Sequence, residues 1–268
     1  MPLSAEAFDD EPSAKTGALV SPVLRAFRLL RYIVEGGSTS NLSEVGRTID
    51  VNRVTVMRLI ATLEHEGVLE PLPQGGHRIG LAFLKLATAA TAANDMLDLG
   101  RRVLATVRAR LNVSTYLAAL DGGHVVYLLR DMPEEGLVSS IKVGSRVAAH
   151  LTTPGRVLLA WQTPAALDAL LKDDPLANAD LRKLERQLDA DRAQACAWSF
   201  SGFEPGINAC AAPVFGPLGE VTAAISVAGP EAALGADEDA RRSAEQAVVQ
   251  AARDLSLLLG CKNYPPAG

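Results

Sequence analysis

The sequence predicts a two-part α/β (α+β) chain: three helices and a hairpin, followed by a larger domain on a mainly antiparallel sheet. Three observations carry this. Residues 21–80 run three amphipathic segments into a short Pro/Gly-centred hairpin. Beyond residue 97, helical and strand periodicities mix, with tight turns such as Asp121-Gly122-Gly123 between strands. The 268 residues, 48% apolar and 21% charged, suit two modest globular domains with ample core.

Residues 1–20 mix Pro, Ser, Gly and acids without periodicity and read as a disordered tail. From Ser21 onward, Val23, Leu24, Phe27, Leu30, Ile33 and Val34 recur at three-to-four spacing. That is an amphipathic helix with Ser21 as N-cap and Pro22 in its first turn. Gly36-Gly37 stops it. Asn41 and Glu44 form a capping box for a short second helix, which turns Leu42, Val45 and Ile49 inward. Gly46 in that helix costs about 1 kcal/mol relative to Ala and implies close packing. A third helix from about Asn52 to Glu66 carries Val56, Leu59, Ile60 and Leu63 on one stripe, with Asn52, Arg53, Thr55 and Arg58 opposite. Two short extended pieces around Pro73–Gly76 complete a winged helix-turn-helix over 21–80.

Residues 81–96 read as a linker helix, with the second domain at 97–268. That domain opens with a helix from about Leu97 to Leu111. Strands are expected at 113–120, 124–130 and 137–143. Thr153-Pro154 and Thr163-Pro164 each read as an N-cap with Pro at the first helical position. A charged helix at 180–194, strands at 194–199, 207–214 and 220–228, and a helix from Asp237 to Leu259 follow.

Composition excludes several function classes. The longest apolar runs, such as Val157–Trp161, are far short of the roughly 18 residues that span a bilayer. No membrane association is expected. The acidic N-terminus lacks a signal-peptide layout, so a cytoplasmic location is expected. Three cysteines without C-x-x-C spacing, and four scattered histidines, point to no disulfide framework, no metal and no cofactor. The net charge of −5 hides a distribution: residues 21–82 hold seven Arg against six acids, and Arg is the planar fork suited to phosphate and guanine.

The stretch Val23–Gly80 resembles the DNA-binding domain of the IclR family of bacterial transcriptional regulators. Its Thr55-x-x-Arg58-Leu59 core is similar to that family's recognition helix. The resemblance continues through Gly144-Ser145-Arg146, His150, Thr152 and Gly155–Ala160, then Gly206–Val214 and Ala224–Pro230, and covers about 240 residues. It implies a GAF-like effector-binding domain, a homodimer joined through the N-terminal domains or a dimer of dimers, a double-stranded DNA operator, and a small organic effector. DNA contacts are expected from Asn52, Arg53, Thr55, Arg58, Gln74, His77 and Arg78. An effector pocket is expected from Ser139 and Ile141 on an opposing strand, the Thr153-Pro154 helix start, Ile207, Ala209, Ser226 and Ala228. The chain departs from the family at Ala148-Ala149, Thr153-Pro154 and Ala209. Ser201-Gly202 stands where the family's acidic pair is usual, beside an aromatic cluster of Trp198, Phe200 and Phe203.

Each candidate has a plainer alternative. Arg53 and Arg58 could be solvated helix charges, Asn52 and Thr55 cap and packing residues, and Gln74, His77 and Arg78 hairpin surface. Ser226, on an inward strand face, needs a partner that a backbone group or a ligand could supply equally. The expected function is an effector-responsive regulator of an adjacent catabolic operon, its ligand largely apolar or aromatic with one polar head at Thr153 and Ser226. The competing function is a small-molecule enzyme using Cys210 or His150, but no nucleophile–base–orienter spacing supports it.

Overall fold

The structure, a computed structural model, describes residues 19–92, 95–134, 139–172, 181–235 and 237–265. Most of the expected tail lies outside these. The chain divides into two compact units between Thr91 and Ala92.

The first unit begins with α1 (Ser21–Val34). Val20, not Ser21, takes the N-cap position, and Ser21 and Pro22 open the helix. Proline supplies no amide there, which suits a first turn whose amides have no helical acceptor. The buried residues of α1 are Leu29 and Leu30. Val23, Leu24 and Phe27 are 51%, 40% and 49% exposed, so the stripe picked out by spacing is largely the outer face of this unit.

Helix α2 (Leu42–Thr48) is capped by Asn41, whose Oδ1 accepts from the amides of Ser43 and Glu44. A Cβ on Gly46 would lie 2.6 Å from the Val51 carbonyl oxygen, while Val51 N donates to Gly46 O at 2.9 Å. Glycine therefore permits the tight turn into α3 (Arg53–His65). Leu29, Leu30, Val45, Ile49, Val56, Ile60 and Leu69 form one core. The wing is β1 (Leu69–Pro71) antiparallel to β2 (His77–Ile79), and α4 (Leu81–Ala92) follows, its Phe83 packed on that core.

The second unit is a six-stranded sheet, every pairing antiparallel, in the order β5-β4-β3-β8-β7-β6. The strands are β3 (Ser114–Asp121), β4 (His124–Asp131), β5 (Arg146–Ala148), β6 (Ala197–Phe200), β7 (Ile207–Phe215) and β8 (Val221–Pro230). Strand alternation sends Leu117, Cys210, Ala212, Val214, Ile225 and Val227 to one face. There they pack on α5 (Asp95–Leu111) and the terminal helix, numbered α9 (Glu238–Leu258). Tyr116, Ala118, Ala211, Ala224 and Ala228 point the other way, toward α6 (Thr153–Ala160), α7 (Pro164–Leu171) and α8 (Leu181–Gln194). Small side chains on this face let α6 approach the sheet closely.

One expected strand, 137–143, is not formed among its described residues, 137 and 138 lying outside them. Of 137–143, residues 139–143 run as a loop, and the strand that pairs with β4 lies at Arg146–Ala148. Side chains take up amides in that loop: Ser145 Oγ accepts from Lys142 N at 3.0 Å, and Glu204 accepts from Ser140 N at 3.0 Å. Gly144, with φ +85°, then turns the chain back onto Tyr127.

Candidate functional site

In the second unit, a cavity opens between the sheet face, the start of α6 and two loops. Tyr116 and Ser226 are cross-strand partners in its floor, beside Ile207, Ala209 and Ala228. Thr152, Thr153 and Pro154 form one wall; Ser139 and Ile141 form another; Ser199, Phe203 and Glu204 close a third side with Tyr127. The space is about 410 Å³ including its open mouth.

The start of α6 is built for polar contact. Thr152, rather than Thr153, is the N-cap: its Oγ1 accepts from Gly155 N at 3.1 Å. The Thr153 hydroxyl is thus not the cap and lines the cavity. A Cβ on Gly155 would sit 2.1 Å from the Ala149 carbonyl oxygen, so only glycine lets the preceding turn Ala149–Leu151 press against this helix. Arg156 anchors α6 from behind, with Nε 2.9 Å from Asp191 Oδ2 and Nη2 donating to Trp198 O at 2.6 Å.

Two groups give the cavity its electrostatics. Tyr116 is buried, and its hydroxyl has no hydrogen-bond partner among the described residues. Glu204 accepts from both the amide and the hydroxyl of Ser140. Burial pushes the Glu204 carboxyl up, but the Ser139 and Ser140 hydroxyls and the Ser140 amide outweigh it and hold it below its ordinary value. The cavity therefore presents one ionised acid among several hydroxyls. Burial also drives the Tyr127 hydroxyl pKa upward, against the lowering effect of Thr152.

The structure brings together all eight residues expected in the pocket. Two details of that expectation are corrected. Ser139 and Ile141 come from a loop, not a strand, because the amides there are taken by side chains. The region is also not stripped of acid: Glu204 supplies one, two residues before Gly206. Sequence reasoning missed Glu204, Tyr116, Tyr127, Thr152 and Ser199, and had Phe203 only as part of the aromatic cluster. The signal for Tyr116 was strand alternation from a register that only pairing with β8 defines. Of the aromatic cluster, Phe203 alone lines the cavity. Trp198 and Phe200 stack on each other at 5.5 Å, with Trp198 Nε1 donating to Glu245 and Arg241 lying over Phe200.

Neither enzyme candidate belongs to this cavity. Cys210 is fully buried on the opposite sheet face, its Sγ 3.3 Å from that of Cys196. Burial first, and then Cys196, push its thiol pKa well up, which disfavours the nucleophilic thiolate. His150 lies in the turn before α6 and does not line the cavity. Among the described residues no cluster of three or more His, Cys, Asp or Glu could hold a metal ion, and no helix is long and apolar enough to cross a membrane.

In the first unit, α3 shows Arg53 and Arg58 to solvent, with Gln74 at the exposed hairpin tip. The other expected DNA contacts have partners within this unit, although Asn52 and Arg78 remain exposed. Asn52 Oδ1 caps α3 by accepting from Thr55 N at 2.8 Å, and Thr55 is half-buried. His77 bridges elements, with Nδ1 2.8 Å from Thr39 Oγ1 and Nε2 3.0 Å from Glu64 Oε1. Arg78 pairs with its cross-strand neighbour Glu70 through Nε at 3.0 Å and Nη2 at 2.9 Å. The exposed surface of α3 therefore differs from the sequence expectation: Val54 and Met57 are on it, and Thr55 is partly withdrawn.

Two family descriptions match this chain. The IclR helix-turn-helix domain matches residues 22–73, and the bacterial transcriptional regulator IclR C-terminal domain matches residues 88–257. The chain is 29% identical over 262 residues to the HTH-type transcriptional repressor AllR of Klebsiella pneumoniae, covering 94% of both chains. It is 30% identical over 241 residues to the HTH-type transcriptional regulator BhcR of Paracoccus denitrificans, covering 87% of this chain and 85% of that one. A solved IclR transcriptional regulator from Silicibacter sp. TM1040 superposes with a TM-score of 0.80 at 27% identity, covering 92% of this chain and all of that one. These relatives are named as transcriptional regulators, not enzymes.

Proposed function

We propose a working mechanism for this chain, which belongs to the IclR family of bacterial transcriptional regulators and is a helix-turn-helix regulator rather than an enzyme. A dimer binds a palindromic operator in the cytoplasm through paired α3 helices, and a small organic molecule in the second unit's cavity changes operator affinity. Arg53, Arg58 and Gln74, together with the exposed but partnered Asn52 and Arg78, support DNA contact. The exposed apolar side chains of α1 support the dimer. Two reading heads would set half-sites about one helical turn apart, or a multiple of it. Coupling between cavity and operator is a free energy of the usual order, about 1–3 kcal/mol.

The observation that carries the effector reading is the buried, unpartnered Tyr116 hydroxyl in a cavity that an ionised Glu204 also lines. A buried hydroxyl without a partner is costly, and a ligand oxygen relieves it. The effector therefore has an acceptor end, a carboxylate or amide oxygen, held by Tyr116, Ser226 and the start of α6. Its other end carries a donor, a hydroxyl or amine, for Glu204. Ile141, Phe203 and Ile207 pack its apolar waist. This amends a ligand with a single polar head.

Isothermal titration checks it with a hydroxylated aromatic acid, the same acid without its hydroxyl, glyoxylate and pyruvate. The hydroxylated acid is expected to bind tightest, and Glu204→Gln to erase its advantage over the unsubstituted acid. Tightest binding by glyoxylate or pyruvate, or indifference to Ser226→Ala across all four, would show this ligand class to be wrong.

A further inference from the structure

The solvent side of α3 carries an apolar stripe. Val54 and Met57 are 55% and 49% exposed, and Ala61 is exposed with them. Spacings of three and four residues put all three on one line along the helix. At about 100° per residue, Arg53 and Arg58 fall on its two sides, and both are exposed. The core does not need the stripe, because Val56 and Ile60 on the opposite side are the residues of α3 that are buried. The polar alternatives nearby are engaged: Asn52 Oδ1 holds the Thr55 amide, and Thr55 is half-buried.

We propose that Val54 and Met57 read thymine methyl groups in the major groove, with Arg53 and Arg58 holding guanine edges or phosphates beside them. This rests on the DNA-binding role given above and adds its sequence preference. The thymine C5-methyl is the apolar group that base edges present in that groove. Residues in the first turns of a recognition helix are those that reach base edges. The flanking cations suit a polyanion. They also oppose a second copy of this chain as the occupant, because a two-fold α3–α3 contact places the same patch on itself and sets Arg against Arg. Ala61, with its single methyl group, lets the later turn of the helix lie close to the groove.

The test uses the full chain. The wild-type protein first selects its operator from a pool of random duplexes, and footprinting defines the half-site. Each thymine of the half-site is then replaced by deoxyuridine, which removes the methyl and keeps the pairing. Affinity is expected to fall about fourfold at each contacted position, the equivalent of roughly 0.8 kcal/mol for one buried methylene. Val54→Ala and Met57→Ala are each expected to lose sensitivity at their own position while still binding DNA. Both side chains are exposed, so the fold is expected to survive, and circular dichroism verifies it. Uniform indifference to deoxyuridine overturns the proposal, as does sensitivity that persists in both variants. If the variants change the oligomeric mass but not the methyl preference, the stripe is a self-association surface and the proposal fails. A wild-type protein that selects no DNA overturns the DNA-binding role and this inference with it.

Discussion

Glu204 shows how much of a site's chemistry can hang on one side chain. Ser201-Gly202 suggested an apolar pocket; the loop 201–204 instead delivers a carboxylate that Ser140 holds from another loop. Its folded pKa lies below the ordinary carboxylate range, burial being outweighed by the hydrogen bonds from Ser139 and Ser140. A depressed folded pKa means the stabilising contribution is complete above the unfolded value and is lost as pH falls through the folded one. Glu204→Gln is therefore expected to make denaturant stability less steep below about pH 4.5, with little change in that slope near neutrality. Parallel wild-type and variant curves throughout the acid range would mean that these bonds do not form in solution. The residue was visible in the sequence, but its partner lies 64 positions away, and nothing local relates Ser140 to it.

Helix α6 is the element on which the cavity depends, and three independent contacts set its position. Thr152 caps it, Gly155 admits the backbone of the preceding turn, and Arg156 ties it to α8 and β6. The Arg156–Asp191 pair is well shielded, at 16% and 5% side-chain exposure, and Gln187 also donates to Asp191 at 3.0 Å. Removing one partner of a buried ion pair strands the other charge. Asp191→Ala is expected to cost about 3 kcal/mol in urea unfolding of the second unit and to weaken effector binding in proportion to the disorder of α6. A cost within about 0.5 kcal/mol would place this pair among solvated surface bridges. At this scale the sequence was informative where the pattern was long. The helices 181–194 and 238–258 and the strands 207–215 and 221–230 follow from periodicity. It misled at 139–143, where alternating residues supply amides to side chains rather than to a neighbouring strand.

Across the whole molecule, the apolar face of α1 is the feature that asks for a partner. Leu19, Val20, Val23, Leu24 and Phe27 are all exposed in the single chain, in a unit whose core is already closed by Leu29 and Leu30. Contiguous apolar surface of this kind marks association sites. Phe27→Glu is expected to shift the protein toward the monomer in sedimentation and to weaken operator binding at least tenfold, because a single head loses the second half-site. Unchanged sedimentation at micromolar concentration would remove α1 from the interface.

The eight cavity residues were expected from the family resemblance, whereas the sequence alone determined the helix-turn-helix with its wing, the long helices and most of the strands. These follow from local rules: periodicity of apolar residues, caps, prolines at helix starts and glycines at turns. Tertiary structure decided the rest. It paired Tyr116 with Ser226, brought Glu204 to Ser140, drew His77 into internal contacts, and left Val54 and Met57 outside. The physical reason is the same in each case. A side chain's role is set by which distant groups satisfy its hydrogen bonds or cover its apolar surface. Sequence spacing fixes only the face of the element on which it starts.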